Sequence, residues 1–153
     1  MVPIGIVGSS TLDDSPFAGE PLALMIYAPA FKKLVDDAKA RIREVTVDDV
    51  KARLDRGDTF WFIDIREESE HAKERIVDPA ASKNALYIGR GIIERDIEGA
   101  IPDLGADIVL YCGGGGRSAL AAESLQRMGY TTVASMAGGL RGWKDKGFPT
   151  AKT

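Results

Sequence analysis

A chain of 153 residues has room for one domain with a full hydrophobic core and not for two. Its 44% hydrophobic and 28% charged residues are those of an ordinary globular protein, which excludes a disordered chain and a membrane bundle. With 20 basic against 23 acidic residues, a net charge of -3 and no basic run, the chain lacks a surface that tracks a phosphate backbone, so no nucleic-acid partner is expected.

The apolar run over residues 21–28 is far too short to span a bilayer, and no membrane partner is expected. Ala28-Pro29-Ala30 looks like a small-residue cleavage site, but the segment before it holds Asp13, Asp14 and Glu20 and no Lys or Arg. Without a basic leader the expectation is a cytoplasmic protein whose apolar arm packs on the domain or on a second subunit. From residue 29 to 43, Phe31, Leu34, Val35, Ala38 and Ile42 recur at helical spacing between charged residues. This predicts an amphipathic helix that serves packing or self-association, with a homodimer through it as one expected assembly. The arm and helix are assigned to residues 1–45, the main domain to 46–153.

Thr46 with Asp48 and Asp49 opens a helix that Gly57 should close, predicting residues 47–56. The run over 59–63 is aromatic and β-branched without a break, as in a strand covered on both faces. Residues 67–75 are charged and compatible with helix, and Pro79 prevents its extension. Short strand and helix signals follow at 86–88 and 92–97, then a second buried strand at 107–111. Residues 118–128 form an alanine-rich helix closed by Gly129, 131–134 another strand, and 140–146 a last helix closed by Gly147. Strands alternating with helices predict an α/β domain around a central, mainly parallel sheet flanked by helices.

Ligands of open α/β sheets bind beyond the carboxyl ends of strands, and there this chain places Cys112-Gly113-Gly114-Gly115-Gly116-Arg117 ahead of a helix. The helix N-terminus and the Arg117 cation both favour an anion at the cysteine sulfur, the nucleophilic form. Four successive glycines let the loop curl through unusual φ values with its N–H groups turned inward, a neutral cradle for a negative atom. Against this stands a small core cysteine at a tight strand-to-helix turn. One cysteine and one histidine exclude an internal disulfide and a zinc site of four protein ligands. No Gly-Lys-[Ser/Thr] follows the glycines and no Rossmann fingerprint is present, so nucleotide binding is disfavoured.

Taken together, Leu110-Tyr111-Cys112-Gly113-Gly114-Gly115-Gly116-Arg117-Ser118-Ala119, Gly138-Gly139-Leu140-Arg141-Gly142-Trp143, Gly147-Phe148-Pro149 and Phe62-Ile63-Asp64-Ile65-Arg66-Glu67 resemble the rhodanese family of sulfurtransferases, over about residues 46–150. The resemblance implies a parallel-sheet fold, a catalytic Cys112 that carries sulfane sulfur as a persulfide, and a sulfur cradle made by the backbone of Gly113, Gly114, Gly115, Gly116 and Arg117. It further implies thiosulfate or a persulfide as donor and an external thiol, cyanide or a thioredoxin-like protein as acceptor, with no cofactor and no metal. Asp64 and Arg66 match the family's Asp-x-Arg marker and are read as an ion pair bracing the loops; Trp143 is read as packing. Arg90, in a segment similar to the family's Pro-Arg-Gly stretch, is the candidate that attracts an anionic donor at the site's mouth; the alternative is an ordinary surface arginine. The family's Gly-His-Ile is missing here, so His71 is not taken as the family histidine and is expected to be a solvated bystander on a charged helix; the alternative is a general base. Rival readings are a rhodanese-related phosphatase or arsenate reductase, which resembles Cys-x5-Arg where this chain has Cys-x4-Arg, and a sulfur-carrier or regulatory module with little turnover of free thiosulfate.

Overall fold

The computed structural model describes residues 27–153, so the expected apolar arm lies outside the described residues except for its last two positions. Pro29 opens α1 (Pro29–Lys39), where its missing N–H costs nothing. The apolar face of this helix, through Val35 and Ala38, is buried against Ala119 of α5 (Gly116–Met128). The helix ends at Lys39 rather than at the expected residue 43, because Arg43–Val45 forms β1 and pairs in parallel with β6 (Val133–Met136). Three residues are too few to display a strand period, and only the neighbouring strand gives them their state.

Next comes α2 (Val47–Arg56), which starts on a capping box: Thr46 Oγ1 accepts from the Asp49 N–H at 3.0 Å, and the Asp49 carboxylate accepts from the Thr46 N–H at 3.2 Å. Gly57, at φ +74°, ends it as expected. The central sheet runs β1-β6-β5-β2-β4, with β2 (Trp61–Asp64), β4 (Ala85–Tyr87) and β5 (Ile108–Tyr111), and every pairing is parallel. Alternate residues of β5 serve opposite cores. Ile108 and Leu110 pack with Ile93 and Ile97 of α4 (Ile93–Ala100) and with Leu125 of α5. Val109 and Tyr111 pack with Val50 of α2 and with Trp143 of α6 (Gly139–Asp145). Helices on both faces explain why this strand reads as an unbroken apolar run. Each such aliphatic side chain contributes about 1.5–3 kcal/mol on burial.

Residues 67–75 do not form a single helix. Glu67 caps α3 (Glu68–Lys73), while Glu74–Arg75 becomes β3 and pairs antiparallel with β7 (Ala151–Lys152). The charged pattern fits either state, and contact with the chain's end selects the strand.

Candidate functional site

The central strand β5 delivers Cys112 to the carboxyl edge of the sheet, between the strands that bracket it, β6 and β2. The thiol is 1% exposed and belongs to the core on the α4 and α5 side. Its Sγ accepts from the Gly115 N–H at 3.1 Å and from the Ser118 N–H at 3.4 Å, with Ser118 Oγ 3.5 Å away. Ser118 Oγ in turn meets Ser135 Oγ of β6 at 2.8 Å. Helix α5 begins at Gly116, two residues earlier than expected, so Arg117 and Ser118 lie in its first turn with the positive end of the helix toward the sulfur. Ser118 is a contact of the sulfur that the loop's glycines drew attention away from; a serine opening the helix after the loop was the available signal.

Only one of the four glycines answers to the unusual φ values expected, and two of the others stand against side-chain tips. Only Gly115, at φ +100°, has left-handed backbone; the other three do not. Close approach accounts for most of the rest. A Cβ on Gly113 would lie 3.2 Å from Arg117 Nη2, one on Gly115 3.1 Å from the Gly138 nitrogen, and one on Gly116 2.7 Å from Tyr27 Oη. The loop is held from below by α6: the Leu140 N–H donates to the Cys112 carbonyl at 2.8 Å, and the Arg141 N–H to the Gly113 carbonyl at 2.9 Å. Gly139 lets the two segments meet, since a Cβ there would stand 2.7 Å from the Gly113 carbonyl carbon and closer still to the Cys112 oxygen.

Arg117 makes a two-pronged ion pair with Glu70 of α3, at 2.8 and 3.2 Å. That bond holds the Glu70 carboxyl below the usual glutamate range, and it raises the Arg117 guanidinium, with Cys112 adding to the effect. Behind it, Asp64 at the end of β2 accepts from Arg66 Nε at 2.9 Å and Nη2 at 2.7 Å, and Arg66 Nη2 also reaches the Glu74 carbonyl. Burial works against the Arg66 charge and Asp64 outweighs it, leaving the guanidinium above its ordinary value. This is the expected brace.

Three other expectations come out differently or sharper. His71 is not a solvated bystander: its Nδ1 lies 2.8 Å from Asp64 Oδ2, its side chain is 15% exposed, and its ring packs 4.6 Å from that of Tyr87. The helix that carries it is charged, yet the side facing β2 is covered. Arg90 pairs with Glu94 at 2.9 and 3.1 Å and lines neither of the two clefts beside the cysteine loop. Neither cleft therefore supports its expected role at the site's mouth. Trp143 packs as expected, 1% exposed, with Nε1 donating to the Pro149 carbonyl at 2.8 Å.

The cation common to both clefts is Arg141. One, of about 320 Å³, lies between Arg66, Glu70, Gly113, Arg141, Lys144 and Asp145; the other, of about 230 Å³, between Tyr27, Lys39, Gly114, Gly138, Arg141 and the same Asp145. Arg141 stood inside a recognisable motif without being singled out, because its position over the cysteine loop follows from the docking of α6. Tyr27 was missed for a stronger reason, being some 85 residues from Cys112 in sequence (112 − 27).

Comparison with known proteins agrees with this geometry. Residues 46–146 match the family model for the Rhodanese-like domain. A sulfurtransferase of Allochromatium vinosum is 29% identical over 108 residues, covering 71% of this chain and 94% of that protein. An uncharacterised Synechocystis protein is 30% identical over 105 residues, or 66% of this chain, which spans about half (52%) of that relative's length. Among solved structures, the polysulfide-sulfur transferase homodimer of Wolinella succinogenes aligns with a TM-score of 0.66 and 27% identity, over 81% of this chain and 88% of that one. A Rhodopseudomonas palustris protein of unknown function, described as a possible tyrosine phosphatase, aligns with a TM-score of 0.65 and 29% identity, over 87% of this chain and 100% of that one. The family match spans four of the five strands of the central sheet, all but β1, with the cysteine loop and the α6 segment that braces it, and it places this chain in the rhodanese family.

Proposed function

We propose that this protein is a sulfurtransferase that moves sulfane sulfur from thiosulfate, or from a persulfide donor, through a persulfide on Cys112 to a thiol or cyanide acceptor. A sulfurtransferase-type enzyme is what the family and the Allochromatium relative support; the donor, the acceptor and the persulfide are our reading. The observation that carries it is the set of donors converging on one sulfur atom, the Gly115 and Ser118 N–H groups at the head of α5.

In the first step the Cys112 thiolate attacks the outer sulfur of thiosulfate. Its electron pair forms the new S–S bond, and the pair of the old S–S bond leaves with sulfite. The charge of the system is unchanged, since a thiolate and a dianion become a persulfide anion and a dianion. In the second step cyanide or a thiolate attacks the outer sulfur, and Cys112 leaves as thiolate. Arg141, which lines both clefts, collects the anionic donor; Arg117, already tied to Glu70, orders the loop.

A phosphatase reading is favoured by one observation, the likeness to the Rhodopseudomonas protein. The four residues between Cys112 and Arg117, and the engagement of Arg117 by Glu70, fit a single sulfur atom better than a tetrahedral phosphoryl group. The test is mass spectrometry after incubation with thiosulfate. A gain of one sulfur atom, removed by cyanide and absent in Cys112→Ser, is expected, while Cys112→Ser keeps its fold. Hydrolysis of an aryl phosphate without sulfur uptake would establish the rival. Loading from a protein persulfide but not from thiosulfate would make the protein a carrier.

A further inference from the structure

The family's domain begins at Thr46, yet a residue well before it reaches the cysteine loop. Tyr27 Oη stands where a Cβ on Gly116 would be, 2.7 Å from that point, and its ring carbons are 3.0 and 3.3 Å from it. The ring is held in place from its other side by an edge-on contact with Phe31 of α1, 4.8 Å between centroids at 90°. Helix α1 is itself fixed by the burial of Val35 and Ala38 on Ala119 in the second turn of α5. The phenol therefore sits over the same helix N-terminus that faces Cys112, and it lines the smaller cleft together with Gly114, Gly138 and Arg141.

We infer that Tyr27 is a substrate-contacting residue of the sulfur-transfer site, contributed by the extension, whose hydroxyl donates a hydrogen bond to the anionic outer sulfur carried on Cys112. The inference rests on the proposed persulfide chemistry. An outer sulfur lies about 2.05 Å beyond Sγ. Sγ already holds the Gly115 and Ser118 N–H groups, so the added atom requires donors farther toward the mouth. Tyr27 stands against Gly116, whose N–H its oxygen accepts, and beside Gly114 of the same loop, with its own O–H left to donate. Burial, and after it the neighbouring Cys112, push the Tyr27 phenol up, so at neutral pH it keeps the proton that makes it a donor. A neutral donor from outside the loop serves the persulfide without repelling a dianionic thiosulfate, as a phenolate would.

The discriminating quantity is the loading equilibrium, thiosulfate plus enzyme against persulfide plus sulfite, read as the loaded fraction by mass spectrometry across sulfite concentrations. Tyr27→Phe keeps the ring and its contact with Phe31 and removes only the hydroxyl. It should lower the loading constant about tenfold, or about 1.4 kcal/mol, close to the lower end of the range for a hydrogen bond to a charged group. Melting temperature should be unchanged. Tyr27→Ala should lower loading at least as far and also loosen α1. If Tyr27→Phe loads like the wild type and only Tyr27→Ala is impaired, the ring is packing and the inference is wrong. If either variant loads more fully or faster, the phenol obstructs the cradle and the inference is again wrong. A wild-type protein that takes up no sulfur overturns the proposed function and this inference with it, whereas wild-type loading with a silent Tyr27→Phe overturns the inference alone.

Discussion

Replacing Gly139 by alanine should damage this protein more than any other single methyl group added to its turns. Gly139 has φ +57°, a conformation that costs an L-residue about 1–2 kcal/mol. A Cβ there would also lie 2.7 Å from the Gly113 carbonyl carbon and 2.8 Å from its oxygen, and these are backbone atoms that cannot rotate away. Pushing α6 off the cysteine loop strains the Leu140 and Arg141 N–H bonds to the Cys112 and Gly113 carbonyls, at 2.8 and 2.9 Å. Such overpacking adds about 1–3 kcal/mol, for a total of about 2–5 kcal/mol. Gly57→Ala provides the control: φ is +74°, but nothing lies within 4 Å, so only the conformational cost applies. Urea denaturation of both variants measures the difference. Thermal unfolding should show it too, since 1 kcal/mol corresponds to about 2–4 °C in a domain of this size. Sulfur uptake by Gly139→Ala should be impaired at temperatures where the protein is still folded, because the displaced atoms are those of the cradle. Equal destabilisation of Gly139→Ala and Gly57→Ala, with uptake intact, would refute the claim that close contact between α6 and the cysteine loop fixes the site.

Asp64→Ala should cost about 3–5 kcal/mol in urea denaturation, because it strands the buried Arg66 charge and removes the Nδ1 partner of His71; a loss below about 1 kcal/mol would mean that Arg66 finds water. Glu70→Gln should cost no more than about 1 kcal/mol, since the pair with Arg117 is about one-third exposed on each side. The Glu70 carboxyl is held low by Arg117, so its contribution is fully present above the ordinary glutamate range and is lost as pH falls through the lowered folded value. The stability gap between wild type and Glu70→Gln should therefore close in acid, and a gap that widens there would contradict the pairing. In steady-state kinetics with thiosulfate, Arg141→Ala should raise KM and flatten its dependence on ionic strength, because Arg141 lines both clefts, whereas Arg90→Ala, which removes a residue that lines neither, should do neither. The opposite ranking would return donor capture to Arg90.

The candidate site was legible in the sequence because it is local. Cys112, the glycines and the helix that follows are contiguous, and the cradle consists of backbone N–H groups whose direction is set once a strand hands over to a helix. The strands β2 and β5 and the helices α2, α4, α5 and α6 were legible because periodicity and caps are properties of neighbours in the chain. Among the elements of two or three residues, β4 was signalled by its short apolar run, whereas β1, β3 and β7 carry no such signal and exist only through their partners across the fold. The same limit applies to the groups around the loop. His71 reads as a surface residue on a charged segment, and only the fold brings it to Asp64 of β2 and the Tyr87 ring of β4. Arg90 and Arg141 are equal as letters, and the docking of α6 under the loop, with Arg90 drawn to Glu94, separates them. Tyr27 shows the limit most clearly: the residues between it and Gly116 form most of the sheet, and the burial of α1 on α5 closes that distance. A side chain's direction along its own element follows from local geometry, but what stands opposite it is decided by the packing of elements remote in sequence.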